Sequence, residues 1–187
     1  TTSRAFTLTL ACQELCNNPC TSDSPPSNDS CFGALDLGFL PESAGCPSGD
    51  GAILSIEGSN LCATAATNSN GLWSCQSAEN QTIETADVWY KFTITGSILN
   101  VTINGLNTPY LAIYEGSNCI NLVQRGCAMG SGGYLHQQFL GLAPGTYYLQ
   151  IGGTNLQDQC SFNLTLQNNI DCTNCLLTSN LVVTPPP

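Results

Sequence analysis

The sequence predicts an all-β domain: an antiparallel, jelly-roll-like β-sandwich stapled by disulfides, with an extra N-terminal strand and an extended C-terminal tail. Three observations predict it. Apolar and polar residues alternate with a period of two through most of the readable chain, as half-buried strands require. Gly, Asn, Ser and Pro punctuate those runs at turn spacing. Twelve of the 187 residues are cysteine, a density that belongs to an oxidising compartment.

Read in order, the chain opens on a short strand at residues 5–10, Ala5-Phe6-Thr7-Leu8-Thr9-Leu10, followed by Cys12, Cys16 and Cys20. Residues 27–75 are loop-rich, with a strand expected over 52–56. The strongest alternation follows: Val88, Tyr90, Phe92 and Ile94 on one face, Trp89, Lys91 and Thr93 on the other. Leu99, Val101 and Ile103 then alternate with polar residues, and Leu111 and Ile113 with Tyr110, Ala112 and Tyr114. A strand is expected around His136. Tyr147, Leu149 and Ile151, then Phe162, Leu164 and Leu166, complete the set. Asn104-Gly105, Glu115-Gly116 and Pro144-Gly145 mark turns. The chain divides into a terminal strand and Cys-rich linker over 1–26, the sandwich over 27–170, and a Cys-containing linker with a proline tail over 171–187. The tail ends in three prolines, which favour an extended spacer.

The first strand is echoed by the last. Phe6-Thr7-Leu8-Thr9-Leu10 matches Phe162-Asn163-Leu164-Thr165-Leu166, and Cys16 and Cys172 keep the same offset (6 to 162, 16 to 172). Two readings fit. Residues 1–26 end a preceding copy of the domain, or the first strand is exchanged onto a sheet of a neighbouring subunit. A bare Phe-x-Leu-Thr-Leu match is common among strands; the cysteine at the same offset is the argument against coincidence.

Three basic residues face thirteen acidic ones, a net charge of −10. Such a chain repels nucleic acid and anionic membrane surfaces, and no apolar run has the length of a membrane span. The chain starts at Thr1 without a Met or a signal segment, as a processed form or a piece of a longer chain would. An extracellular place, secreted or at the cell surface, is expected from the cysteines.

From residue 27 the order of motifs is distinctive. Asn28-Asp29-Ser30-Cys31 opens it, and Asp87-Val88-Trp89-Tyr90-Lys91-Phe92 follows. Next come Tyr110-Leu111-Ala112-Ile113-Tyr114-Glu115-Gly116 and Leu140-Gly141-Leu142-Ala143-Pro144-Gly145-Thr146-Tyr147-Tyr148. This order resembles the β-sandwich repeats of secreted and cell-surface proteins of Bacteroidota, and is similar to the bacterial pre-peptidase C-terminal domain, over about residues 27–167. The resemblance implies a jelly-roll-like accessory, adhesive or spacer module without catalytic residues. Relatives often carry an acidic residue just before the strand that begins at Tyr110; here that stretch is Asn107-Thr108-Pro109.

Candidate sites follow from residue chemistry. Cys119–Cys127 is the expected disulfide, closing a short excursion between strands with about 2.6 kcal/mol of stabilisation on the chain-entropy model. Cys62–Cys75 is the second, and the Cys172-x-x-Cys175 pair reads as disulfide rather than zinc or redox motif, because no His lies nearby and no βαβ setting surrounds it. Asn28, Asn80, Asn100 and Asn163 stand in Asn-x-Ser/Thr sequons. Trp73 and Trp89 are the aromatics that could stack on sugars. Asp29, Asp50 and Asp87 could hold calcium in loops; no other cofactor is expected. His136, the single histidine, lies beside no nucleophile motif, and the carboxylates are scattered, so no enzyme is expected.

The function these observations point to is a structural or adhesive module of an extracellular filament, appendage or surface adhesin. Its partners are copies of itself or neighbouring repeats, and surface glycans. The alternative is a carbohydrate-binding or accessory domain of a secreted hydrolase.

Overall fold

The structure, a computed structural model, describes residues 20, 24–42, 53–64, 85–153 and 157–169. Strand 5–10, Asp50, Trp73, Cys75, Asn80, Cys172, Cys175 and the proline tail lie outside them.

Among the described residues a 3-10 turn, Cys31–Gly33, precedes nine strands: β1 (Leu35–Leu40), β2 (Ile53–Ser59), β3 (Asp87–Ile94), β4 (Ile98–Asn104), β5 (Pro109–Glu115), β6 (Val123–Met129), β7 (Tyr134–Leu140), β8 (Gly145–Gly153) and β9 (Ser161–Asn169). They form two sheets. Sheet A has the order β1-β3-β8-β5-β6 and sheet B the order β2-β9-β4-β7. The fold is thus the all-β, disulfide-stapled sandwich that the alternation predicts.

Period two places one side chain of every pair in the core. Val88, Tyr90, Phe92 and Ile94 of β3 meet Leu99, Val101 and Ile103 of β4 and Phe162, Leu164 and Leu166 of β9 in one buried cluster between the sheets. Tyr90 meets the Phe162 ring edge to face at 6.4 Å, and Phe92 stacks on Tyr147 at 6.2 Å. Gly58 stands opposite Phe162 in the β2–β9 register. A Cβ there would run into the Tyr90 hydroxyl and the Phe162 ring, so the two large rings can close over β2 only because this strand position is bare.

β1 was hidden in the loop-rich part of the sequence. It pairs with β3 in parallel, with a register shift between Asp36 and Phe39. Gly38 sits at that irregularity with φ +75°, a conformation in which a side chain would be strained. Its N–H donates to Asp36 Oδ1 at 2.9 Å. Beyond β1 the chain crosses towards sheet B, where Asn168 Nδ2 donates to the Leu40 carbonyl at 2.9 Å.

Candidate functional site

The two outer faces of the sandwich differ, and every described candidate residue falls on or near one of them. On sheet A, Trp89, Tyr110, Ala112, Tyr114 and Tyr148 form a second buried cluster. Trp89 and Tyr114 stack at 5.6 Å and 27°. A strap formed by residues 24–34 runs over this face. Asn28 fastens it as a strand would: its carbonyl accepts from Trp89 N–H at 2.8 Å, and its Nδ2 donates to the Trp89 carbonyl at 3.2 Å. Asp29 then accepts from both Thr64 N–H and Thr64 Oγ1 at 2.6 Å, tying the strap to the segment after β2.

Two disulfides lock this arrangement. Cys31 pairs with Cys119, 88 residues away, and Cys20 with Cys62, 42 residues away. Cys127 and Cys160 are disulfide-bonded as well. The expected Cys119–Cys127 and Cys62–Cys75 pairs are therefore corrected. Cys119 follows β5, at the place where the strap crosses, so its neighbour in space is Cys31 although its neighbour in sequence is Cys127. On the chain-entropy model the longer observed loops stabilise more, about 4 and 4.6 kcal/mol.

Trp89 also corrects an expectation. Period two sets it opposite the core, but the strap covers that side and leaves it 6% exposed; it is no open stacking platform. Asn28 is corrected for the same reason: its amide nitrogen is buried and engaged with Trp89, so in the folded chain it offers no acceptor for a glycan. Asn100 is half-buried and its Oδ1 accepts from Gln138 Nε2 at 2.9 Å. Asn163 is exposed.

Beneath the strap runs a buried polar line. Tyr114 donates to Gln150 Oε1 at 2.9 Å, and Gln150 Nε2 donates to Asp87 Oδ2 at 2.7 Å. Burial pushes the Asp87 carboxyl up to about 7; the Gln150 bond opposes this, and the negative charge of Asp29 adds to it. Burial also lifts the phenols of Tyr110 and Tyr114. Of the two predicted calcium carboxylates in the described residues, Asp29 accepts from Thr64, and Asp87 accepts from Gln150 through Oδ2. Among the described residues no group of three or more His, Cys, Asp or Glu could hold a metal ion.

Two polar residues the sequence did not single out hold one end of the sandwich. Asp158 is buried and accepts from Asn107 N–H, Thr108 N–H and Thr108 Oγ1 at 2.7–2.9 Å. The carboxylate reaches this stretch from the loop before β9. Asn60 donates to the carbonyls of Ala86 and Asp158 and accepts from Cys160 N–H. Neither has a sequence signal beyond being polar near a strand end.

The outer face of sheet B is open and mostly polar, with Ile53, Tyr134 and Leu140 exposed at its margins. Register aligns Ser55, Thr165, Thr102 and His136 in one row and Gln167, Asn100 and Gln138 beside it. Ser55 and Thr165 share a hydrogen bond at 3.2 Å, and Thr102 and His136 Nδ1 another at 2.9 Å. Both cations among the described residues lie on sheet A and are paired, Lys91 with Asp36 at 2.9 Å and Arg125 with Glu115 at 2.6 Å. No described helix is long and apolar enough to cross a membrane.

No family model matches the chain, and no curated protein does. Solved structures give distant likenesses. The pre-peptidase C-terminal domain of a collagenase from Bacillus anthracis aligns at 13% identity and a TM-score of 0.41, covering 72% of this chain and 94% of that one. A periplasmic inhibitor of g-type lysozyme from Aeromonas hydrophila aligns at 13% and 0.37, covering 71% and 97%. A surface-associated copper-binding protein from Methylomicrobium album aligns at 8% and 0.37, covering 68% and 97%. None of the three lends a residue role to this chain.

Proposed function

We propose that this chain is a non-catalytic structural or adhesive module of an extracellular assembly, joined to its neighbours through its terminal segments. The observation that supports it is the double clamp on the entering chain. Cys20 is bonded to Cys62, just past β2 of sheet B, and Cys31 to Cys119, just past β5 of sheet A. The entering segment is therefore joined by covalent bonds to both sheets, at Cys62 and at Cys119. Disulfides of this kind persist outside the reducing cytosol. The Phe-x-Leu-Thr-Leu echo of β9 at residues 5–10 adds a candidate joint, since a lone strand must find a sheet edge for its backbone groups.

The test is self-association of the full chain, read by sedimentation velocity and electron microscopy. Higher-order species that dissolve on Phe6→Asp with Leu8→Asp are expected. A strict monomer whose 5–10 amides are protected from exchange within its own sheet would overturn the joint.

A further inference from the structure

At the end of sheet B where β2 and β4 finish and β9 begins, the polar face changes character. Glu57 stands opposite Asn163, Asn163 opposite Asn104, and Asn104 opposite Tyr134. This row crosses all four strands, roughly 14 Å at ordinary strand spacing. All four residues are exposed. The Ser55–Thr165 and Thr102–His136 pairs in the next row, and Asn100–Gln138 beyond, are hydrogen-bonded to one another. In the terminal row, by contrast, no hydrogen bond joins the four side chains. The row borders a cavity of about 500 Å³, walled by Glu57, Ser59, Asn104, Ser161 and Asn163, which is within the size range of small-molecule sites.

We propose that this row and cavity bind a neutral oligosaccharide. Two carboxamides and the Ser161 hydroxyl offer donors and acceptors side by side, Ser59 offers its hydroxyl proton while its oxygen accepts from Leu61 N–H at 3.2 Å, and Glu57 offers an acceptor alone. That is the complement of vicinal sugar hydroxyls, each of which both donates and accepts. Tyr134, half exposed on the edge strand, supplies a ring for the apolar face of a sugar. Charge selects against acidic polymers: the row carries a carboxylate and no cation, in a chain of net charge −10. The site takes the place of Trp89, which the strap removes from solvent. It goes beyond the module reading and stands or falls apart from it.

The experiment uses full-length chain made in a host that leaves the Asn163 sequon unmodified, because a glycan there would fill the row. Binding is screened on an array of neutral and acidic glycans and measured by calorimetry with the neutral oligosaccharide bound best. Asn163→Ala and Tyr134→Ala are each expected to weaken binding about tenfold or more, Gln138→Ala to leave it within about twofold, and added salt to leave it unchanged. Each variant's thermal midpoint shows that the fold is kept. Three results would overturn the proposal: no neutral glycan bound by the folded protein, affinity that survives both substitutions, or retention of a peptide or protein ligand alone.

Discussion

The outer faces of sheet A and sheet B start from the same pattern and end differently. Both strands β3 and β4 alternate cleanly, and both sheets turn one face to the common core. Sheet A carries Trp89, Tyr110, Tyr114 and Tyr148 on its other face and buries them under a strap. Sheet B carries mostly Ser, Thr, Asn, Gln and His there and leaves them, with Ile53, Tyr134 and Leu140 at its margins, without a described cover. The lesson is that an aromatic outer face demands a cover, and this chain supplies one from its own N-terminal side and fixes it covalently. A polar face needs no cover and stays available for a partner.

Four changes sharpen or break that contrast. The largest effect is expected from removing the strap's lock with Cys31→Ser and Cys119→Ser together. Loss of this 88-residue closure should lower stability by up to about 4.6 kcal/mol, read by denaturant unfolding under non-reducing conditions. A loss near zero would mean that the strap holds without it. Next, Trp89→Ala should cost about 3–5 kcal/mol, as for a buried aromatic, and lower the thermal midpoint.

The third concerns Asp87. Its folded value of about 7 lies above the ordinary 3.8, so the folded state holds the proton more tightly than the unfolded one. The stabilisation is complete below about pH 3.8 and is lost as pH rises through 7. This single group should cost on the order of 4 kcal/mol between those limits. Asp87→Asn should flatten the fall in unfolding free energy between mildly acidic and mildly alkaline pH. An unaltered pH profile would contradict the assignment. The smallest effect belongs to sheet B: Tyr134→Ala, an aromatic lost from the open face, should shift stability by no more than about 0.5 kcal/mol. A loss as large as that of Trp89 would erase the distinction between the faces.

Much of the fold was legible. Alternation names the core side of β3, β4, β5, β8 and β9 residue by residue, because a strand in a sandwich has one obligatory apolar face. What alternation cannot say is what lies against the opposite face. Alternation alone leaves Trp89 exposed and Asn28 a glycan acceptor, whereas in the fold both are buried and bonded to each other. Disulfide partners failed for a related reason. Cys31 and Cys119 are brought together by the β3–β8–β5 arrangement, which exists only once the sheet has formed. β1 was missed because its residues, Leu35-Asp36-Leu37-Gly38-Phe39-Leu40, carry a glycine bulge and pair in parallel at an edge. The Glu57–Asn163–Asn104–Tyr134 row comes from four strands far apart in sequence and becomes visible only through the register.

The span of the Cys31–Cys119 closure also orders events in time. A chain that emerges N-terminus first presents Cys31 long before Cys119 exists, whereas Cys62, the partner of Cys20, follows sooner. The strap is among the earliest described segments to be made, yet its Cys31 anchor waits for Cys119 and for β8, the strand that sets β5 beside β3. Until then the Cys31 thiol is free and the aromatic side of sheet A has no lid. Covalent closure of the cover thus comes only after a long stretch of chain has followed Cys31, and the cysteines that precede Cys119 meet Cys31 first.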